Sequence, residues 1–376
     1  MEFRDLKKQY QALKKDVDRG IAEVIESSAY IHGHQVEEVE NKLADYVGVK
    51  HCITCANGTD ALQLALMAWG ISEGDIVFVP DFTFFSSGEV VSAVGAIPMF
   101  VDVDEDTFNM SPVSLRRMVQ KVISNGGRPK AVIAVDLYGQ PANYSEIKAI
   151  VKEYDLLLLE DAAQGFGGEI KGQKACSFGD ISTTSFFPAK PLGCYGDGGA
   201  IFTNNDEWAS LIRSFCVHGK GESKYDNIRI GMNSRLDTIQ AAVLLAKLNH
   251  FAGFEMDRMQ VVADWYTSAL RDVVETPVVR ESYRSSWAQY TIKLKDKEMR
   301  DDLSIFLKEK GIPTAVYYQK EMHKQKAFCE YEYEDNDYKV TTNLCAKVLS
   351  LPFHPYLEKE EVELVTSEIK AYVEKN

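Results

Sequence analysis

The sequence predicts an α/β protein: a large domain doubly wound around a mainly parallel sheet, followed by a smaller α+β unit. Three observations carry this. From about residue 36 to 248, short apolar runs alternate with amphipathic segments of helical period. Those runs are rich in Val, Ile and Leu without a polar alternation, which suits strands covered by helices on both faces. After about residue 250 the texture changes to a long charged helical segment followed by scattered strands.

Taken in order, strands are expected in HCITCA (51–56), IVFVP (76–80), IPMFVDV (97–103), AVIAVDL (131–137), LLLLED (156–161), TTSFF (183–187) and GAIFTN (199–204). Helices are expected in VEEVENKLADYVG (36–48), TDALQLALMAWG (59–70), YSEIKAIVKEY (144–154) and LDTIQAAVLLAKL (236–248). The second unit starts with the helix EMDRMQVVADWYTSALRDV (255–273), continues with strands AQYTIKL (288–294) and IPTAVYY (312–318), and closes with two more helices. This places the large domain at 12–248 and the small one at 249–376, joined by residues 1–11. No period of 20 to 50 residues repeats, and no low-complexity tract occurs.

Composition narrows the function. The 376 residues are 45% hydrophobic, enough for a large core. Acidic residues outnumber basic ones 56 to 42, a net charge of −14, so the surface repels polyanions; neither nucleic acid nor an anionic membrane is an expected partner. The start, MEFRDLKKQYQALKKD, has no apolar run of the signal-peptide kind, and stretches such as VVSAVGAIPMFV fall short of the about 20 residues that span a bilayer. Seven scattered cysteines do not form the even framework of a small secreted domain. A cytoplasmic protein with a small-molecule ligand is expected. Cys52 and Cys55 form a C-x-x-C, but within a strand they point to opposite faces, so buried core thiols are expected and no metal site.

Three stretches could carry chemistry. CANGTDALQ puts Gly58 and Thr59 where a strand passes into a helix, and free N–H groups with the helix dipole there make an anion site, although a helix cap on Thr59 or Asp60 explains the same residues. LLLLEDAAQGFGG ends an apolar strand in Glu160 and Asp161, and carboxylates at strand C-termini can hold a cationic nitrogen. In TTSFFPAKPLGCYGDGGAIFTN, Lys190 precedes a glycine-rich turn as a phosphate clamp or a covalent nucleophile. No G-x-G-x-x-G and no G-x-x-x-x-G-K-[ST] is present, which weakens nucleotide-loop readings. An anion site, a strand-end carboxylate and a lysine in a loop leaving another strand are the parts a pyridoxal phosphate enzyme needs.

With these motifs in order, together with PDFTFFSSGEVV, FVDVDEDTFNM, VDLYGQPANY, HGKG, GMNSRLDTIQAAVLLAKL and LSLPFHPYL, the whole chain resembles the sugar aminotransferases of the DegT/DnrJ/EryC1/StrS family. These share the aspartate aminotransferase-like fold type I of PLP-dependent transferases. Within the family the chain is similar to the UDP-2-acetamido-2-deoxy-ribo-hexuluronate 3-aminotransferases in SFFPAKPLGCYGDGGAIFTN and IRIGMNSRLDTIQAA. The resemblance implies pyridoxal 5′-phosphate as cofactor, Lys190 as its Schiff-base lysine and Asp161 on its pyridine nitrogen. It implies Gln164 beside the phenolic oxygen, Phe84 against the ring, and Gly58, Thr59 and Ser185 on the phosphate with Asn233 of a neighbouring subunit. Arg235, Tyr317 and Tyr318 are implied as sugar-nucleotide contacts.

The implied reaction is amination of a keto-sugar nucleotide by L-glutamate in a homodimer whose site spans the interface. The implied substrate is a UDP-linked 2-acetamido-3-keto-hexuluronic acid for surface polysaccharide (O-antigen). Tyr317 and Gln319 stand where that subgroup usually has His and Pro, so C3 or C4 amination of a UDP- or dTDP-linked keto-6-deoxy sugar is the alternative. A dehydratase of the family would carry histidine at Lys190. A non-catalytic regulatory protein on this fold would be expected to lack Lys190 or Asp161.

Three further features have weaker signals. Residues 213–235 hold five Lys/Arg against two acids, either a solvated loop or, through Lys220 and Lys224, an attractive patch for a diphosphate. His32 and His34 lack a partner at ligand spacing and read as a loop. His218 is placed near the site with no role.

Overall fold

The computed structural model describes residues 1–223 and 225–375. Seven strands form the central sheet: His51–Cys55 (β1), Asp75–Pro80 (β2), Ile97–Val101 (β3), Arg128–Val135 (β4), Leu157–Asp161 (β5), Ile181–Ser185 (β6) and Gly199–Thr203 (β7). Their spatial order is β1-β7-β6-β5-β4-β2-β3. The sheet is parallel from β6 to β3, while β7 runs antiparallel to both neighbours, β1 and β6.

Both faces of the sheet are dry, as the unbroken apolar runs predict. Alternate residues divide between two cores: Cys52, Phe78, Val132, Leu158 and Phe202 face one, while Cys55, Val77, Ile133, Leu159 and Ile201 face the other. The first core is closed by Leu6–Ser27 (α1), His34–Val47 (α2), Pro112–Ser124 (α5), Tyr144–Glu153 (α6) and Thr238–His250 (α8). The second is closed by Gly58–Ala68 (α3), Ser86–Ala93 (α4) and Asp206–Phe215 (α7). Cys52 and Cys55 fall on opposite faces, and burial holds both thiols well above their usual range. Among the described residues no group of three His, Cys, Asp or Glu side chains could hold a metal.

Beyond α8, a π-helical turn over Phe251–Glu255 leads into Met256–Leu270 (α9). A two-stranded antiparallel sheet, Tyr290–Lys293 (β8) with Val348–Leu351 (β9), is flanked by Lys297–Glu309 (α10), Lys339–Lys347 (α11) and Lys359–Val373 (α12). The expected boundary at residues 11 and 12 falls inside α1, and the one at 248 and 249 inside the continuous run from α8 to α9. One hydrophobic core runs from Leu13 to Ile369 across both.

Two element expectations need correction. TTSFF stops being a strand at Ser185, where the chain turns toward Lys190. IPTAVYY is no strand; it forms a single bridge, Ala315 to Ser350 on β9. Pro313 has no N–H for a ladder, and farther along Tyr317 accepts a hydrogen bond at its carbonyl from the Tyr138 hydroxyl. β9 and a third late helix were not foreseen.

Candidate active site

The parallel neighbours β5 and β6 both end at the same edge of the sheet, in Asp161 and Ser185. Ligand sites of open α/β sheets lie at this edge. Gly199, the first residue of β7, pairs with both Cys55 and Ser185, so the end of β1, the turn into α3 and the end of β6 converge on it. The convergence is tight: a Cβ on Gly199 would lie 2.5 Å from the carbonyl of Asn57, and one on Gly58 would lie 2.8 Å from Ser185 Cβ. Only glycine lets these backbones approach so closely.

The start of α3 is capped by Asn57, whose side chain accepts from the N–H of Asp60 at 2.8 Å, rather than by Thr59 or Asp60 as weighed above. Among the described residues the N–H groups of Gly58 and Thr59 donate to nothing. They are free donors at a helix N-terminus, with the Ser185 hydroxyl beside them and Thr59 Oγ1 2.7 Å from Ser86 Oγ. This cradle suits a phosphate. The glycines of Gly193–Gly199 serve packing: none has positive φ, and a Cβ on Gly193 or Gly198 would strike Pro188 or Leu236.

Asp161 is buried and its carboxylate is held at both oxygens, by the Ser87 hydroxyl at 2.8 Å and the Ala163 N–H at 3.1 Å. Burial raises its pKa, and the charge of Lys190 works against that rise. Lys190 follows β6 in a turn closed by its own N–H on the Phe187 carbonyl at 2.8 Å. Burial lowers its amine pKa, Asp161 pulls it back up and Arg4 pushes it further down. Each group's charge therefore acts on the other, while burial holds each toward its neutral form. A cationic ring nitrogen would reverse the balance at Asp161.

Gln164 is buried, accepts from the Tyr138 N–H at 2.8 Å and donates to the Tyr318 hydroxyl at 3.1 Å. Phe84 is exposed, with its ring centroid 6.4 Å from that of Tyr318. Burial raises the Tyr318 hydroxyl and that of half-buried Tyr317, whose ring meets Phe3 edge-on at 6.4 Å. The structure thus gathers Gly58, Thr59, Ser185, Asp161, Lys190, Gln164, Phe84, Tyr317 and Tyr318 around one space.

Asn233 and Arg235 are not gathered there. They bond to each other, and Arg235 lines an open cleft of about 500 Å³ with His32, His34 and Arg213. His34 is the first residue of α2 and His32 lies in the turn before it. His218 lines a separate cleft with Arg229 and Asn227. Lys220 is exposed, and Lys224 lies outside the described residues.

Sequence reasoning missed three contributors: Ser87 on Asp161, Ser86 on Thr59, and Arg4, which donates to the Lys190 carbonyl. The serines stand in the quoted PDFTFFSSGEVV, but no periodicity singles them out. Arg4 lies far from Lys190 in the chain and carries no local signal.

The model of the DegT/DnrJ/EryC1/StrS aminotransferase family matches residues 11–370. A UDP-2-acetamido-2-deoxy-3-oxo-D-glucuronate aminotransferase of Pseudomonas aeruginosa is 43% identical over 97% of this chain and 98% of its own. The crystal structure of a DegT DnrJ EryC1 StrS aminotransferase from Brucella abortus is 46% identical, superposes with a TM-score of 0.96 and is covered to 99% on both sides. A Bacillus subtilis structure with the cofactor PMP bound is 28% identical, with a TM-score of 0.88 over 99% of this chain and 83% of that one.

Proposed function

The chain belongs to the DegT/DnrJ/EryC1/StrS aminotransferase family, and from that premise we propose that it aminates C3 of a UDP-linked 2-acetamido-3-keto-hexuluronic acid. It is a PLP-dependent sugar-nucleotide aminotransferase. L-glutamate is the amino donor, the working unit is a homodimer in the cytoplasm, and the product serves surface polysaccharide (O-antigen) synthesis. The sugar assignment is supported by the Pseudomonas aeruginosa UDP-2-acetamido-2-deoxy-3-oxo-D-glucuronate aminotransferase, 43% identical to this chain. Domains at 12–248 and 249–376 with 1–11 remain part of this reading.

The observation that carries the reading of the site is the pair Asp161, at the end of β5, and Lys190, in the turn that follows β6, close enough that each charge acts on the other. The donors present fit the cofactor: free N–H groups of Gly58 and Thr59 beside Ser185 for the phosphate, Asp161 for a protonated ring nitrogen, Gln164 for a phenolic oxygen. Asn233 and Arg235, exposed and partly exposed on this chain and turned away from its own Lys190, are supplied to the neighbouring subunit's site. When bound, pyridoxal phosphate supplies an electron sink for the carbon that loses its proton.

The chain's own residues do the rest. Asp161, fixed by Ser87 and Ala163, would keep a positive charge on the ring nitrogen of the bound cofactor. Lys190 would hold the cofactor, and its amine, whose pKa burial lowers, would be placed to take a proton from carbon and to return it. Gln164 is fixed at both ends of its amide, by the Tyr138 N–H and the Tyr318 hydroxyl. Two sequential half-reactions imply ping-pong kinetics. The test is a visible absorption spectrum: the band of wild type should bleach on adding glutamate, and the band should be missing from Lys190→Ala. NMR of the amino-sugar product separates the hexuluronate reading from the keto-6-deoxy alternative that Tyr317 keeps open.

A further inference from the structure

The N-terminal residues 2–5 form a strap without regular structure that crosses the site. The Phe3 carbonyl accepts from the Phe353 N–H at 3.0 Å, its ring touches Tyr317, and Asp5 caps α1 through the Lys8 N–H. Between them, Arg4 reaches the Lys190 turn and donates from Nη2 to two consecutive carbonyls, Lys190 at 3.0 Å and Pro191 at 3.4 Å. We propose that Arg4 is a positioning residue for Lys190, fixing its main chain through two hydrogen bonds from Nη2 and placing a positive charge without an ion-pair partner near its amine.

The charge has no ion-pair partner for a visible reason. The acid that Arg4 feels is Glu255, already engaged by Gln9 at 2.9 Å and the Tyr356 hydroxyl at 2.6 Å, and among the described residues Arg4 forms no ion pair. Its Nη1 is buried without a hydrogen-bond partner. The other titratable groups it acts on are cations or neutral, Lys190, Lys247, His354 and Tyr356, and its charge works to lower all four. A guanidinium stays protonated at any working pH, so its field on Lys190 is constant. It favours the amine form that can act as a base, offsetting the opposite pull of Asp161.

The proposal rests on Lys190 as the cofactor-bearing lysine. The experiment titrates the visible absorption of the full-length, cofactor-loaded protein between pH 5 and 10, because the lysine–cofactor linkage changes colour when it takes up a proton. Arg4→Met should raise the midpoint by about half to one pH unit, and Arg4→Lys should restore most of it. Phe3→Ala, which loosens the strap and leaves the charge, should keep the wild-type midpoint. An Arg4→Met midpoint equal to wild type, or a Phe3→Ala shift as large, overturns the proposal. If Arg4→Met does not fold, Arg4→Gln takes its place with the same two outcomes. A wild-type protein with no visible band overturns the reading of Lys190 itself, and this one with it.

Discussion

The Ser87 hydroxyl donates to Asp161 Oδ2 at 2.8 Å, from the first turn of α4 to the last residue of β5, and is the side-chain donor that this buried carboxylate has among the described residues. Ser87→Ala leaves that oxygen bare. Hydrogen bonds to charged groups contribute about 1.5–3 kcal/mol, so cofactor affinity should fall about tenfold or more. Equilibrium dialysis measures it; an unchanged affinity would show that Ser87 does not support Asp161.

Gly58→Ala tests the cradle. A Cβ there meets Ser185 Cβ at 2.8 Å, and neither the strand end nor the helix start can move without spoiling the other. Overpacking of this kind costs about 1–3 kcal/mol. We expect a lower melting temperature and, more specifically, weaker binding of free pyridoxal phosphate than of pyridoxal. Equal losses for the two ligands would mean that the phosphate is not held here.

His354 predicts an acid-side loss of stability. It is buried with an unpartnered Nδ1, and burial, reinforced by the Arg4 charge, pushes its pKa down to about 4 from 6.5. Below 6.5 the unfolded chain takes up a proton that the folded chain refuses, so stability present above pH 6.5 drains away as pH falls toward 4. The full span amounts to about 3 kcal/mol at most. Urea melts at pH 7 and 4.5 should show wild type losing more than His354→Gln; parallel losses would contradict the assignment.

Tyr317→His alters the side chain that meets Phe3 and leaves the Tyr318–Gln164 bond in place. The keto-sugar KM should change several-fold while the glutamate half-reaction, followed alone by single-turnover absorbance, keeps its rate. A slowed glutamate half-reaction would place Tyr317 in the cofactor chemistry instead of the sugar pocket.

All seven strands of the central sheet were legible in the sequence, because a strand buried on both faces must be apolar throughout and the turn residues that end it are local. The same locality singled out Asp161 at the end of LLLLED and Lys190 after TTSFF as candidates. IPTAVYY misled for the converse reason: its β-rich composition describes how it packs, and its path is decided by contacts with Tyr138 and β9.

By itself the sequence determined the α/β class and the succession of strands along the chain, and it singled out a candidate lysine and carboxylate, since each depends on residues adjacent in the chain. Only the tertiary structure decided that β7 runs against its neighbours, that Gly58 and Gly199 are demanded by close backbone approach, and that Ser87 and Arg4 stand beside Asp161 and Lys190. Those relations join positions far apart along the chain, where neither propensity nor spacing reaches; they are set by which surfaces the packed cores leave facing one another.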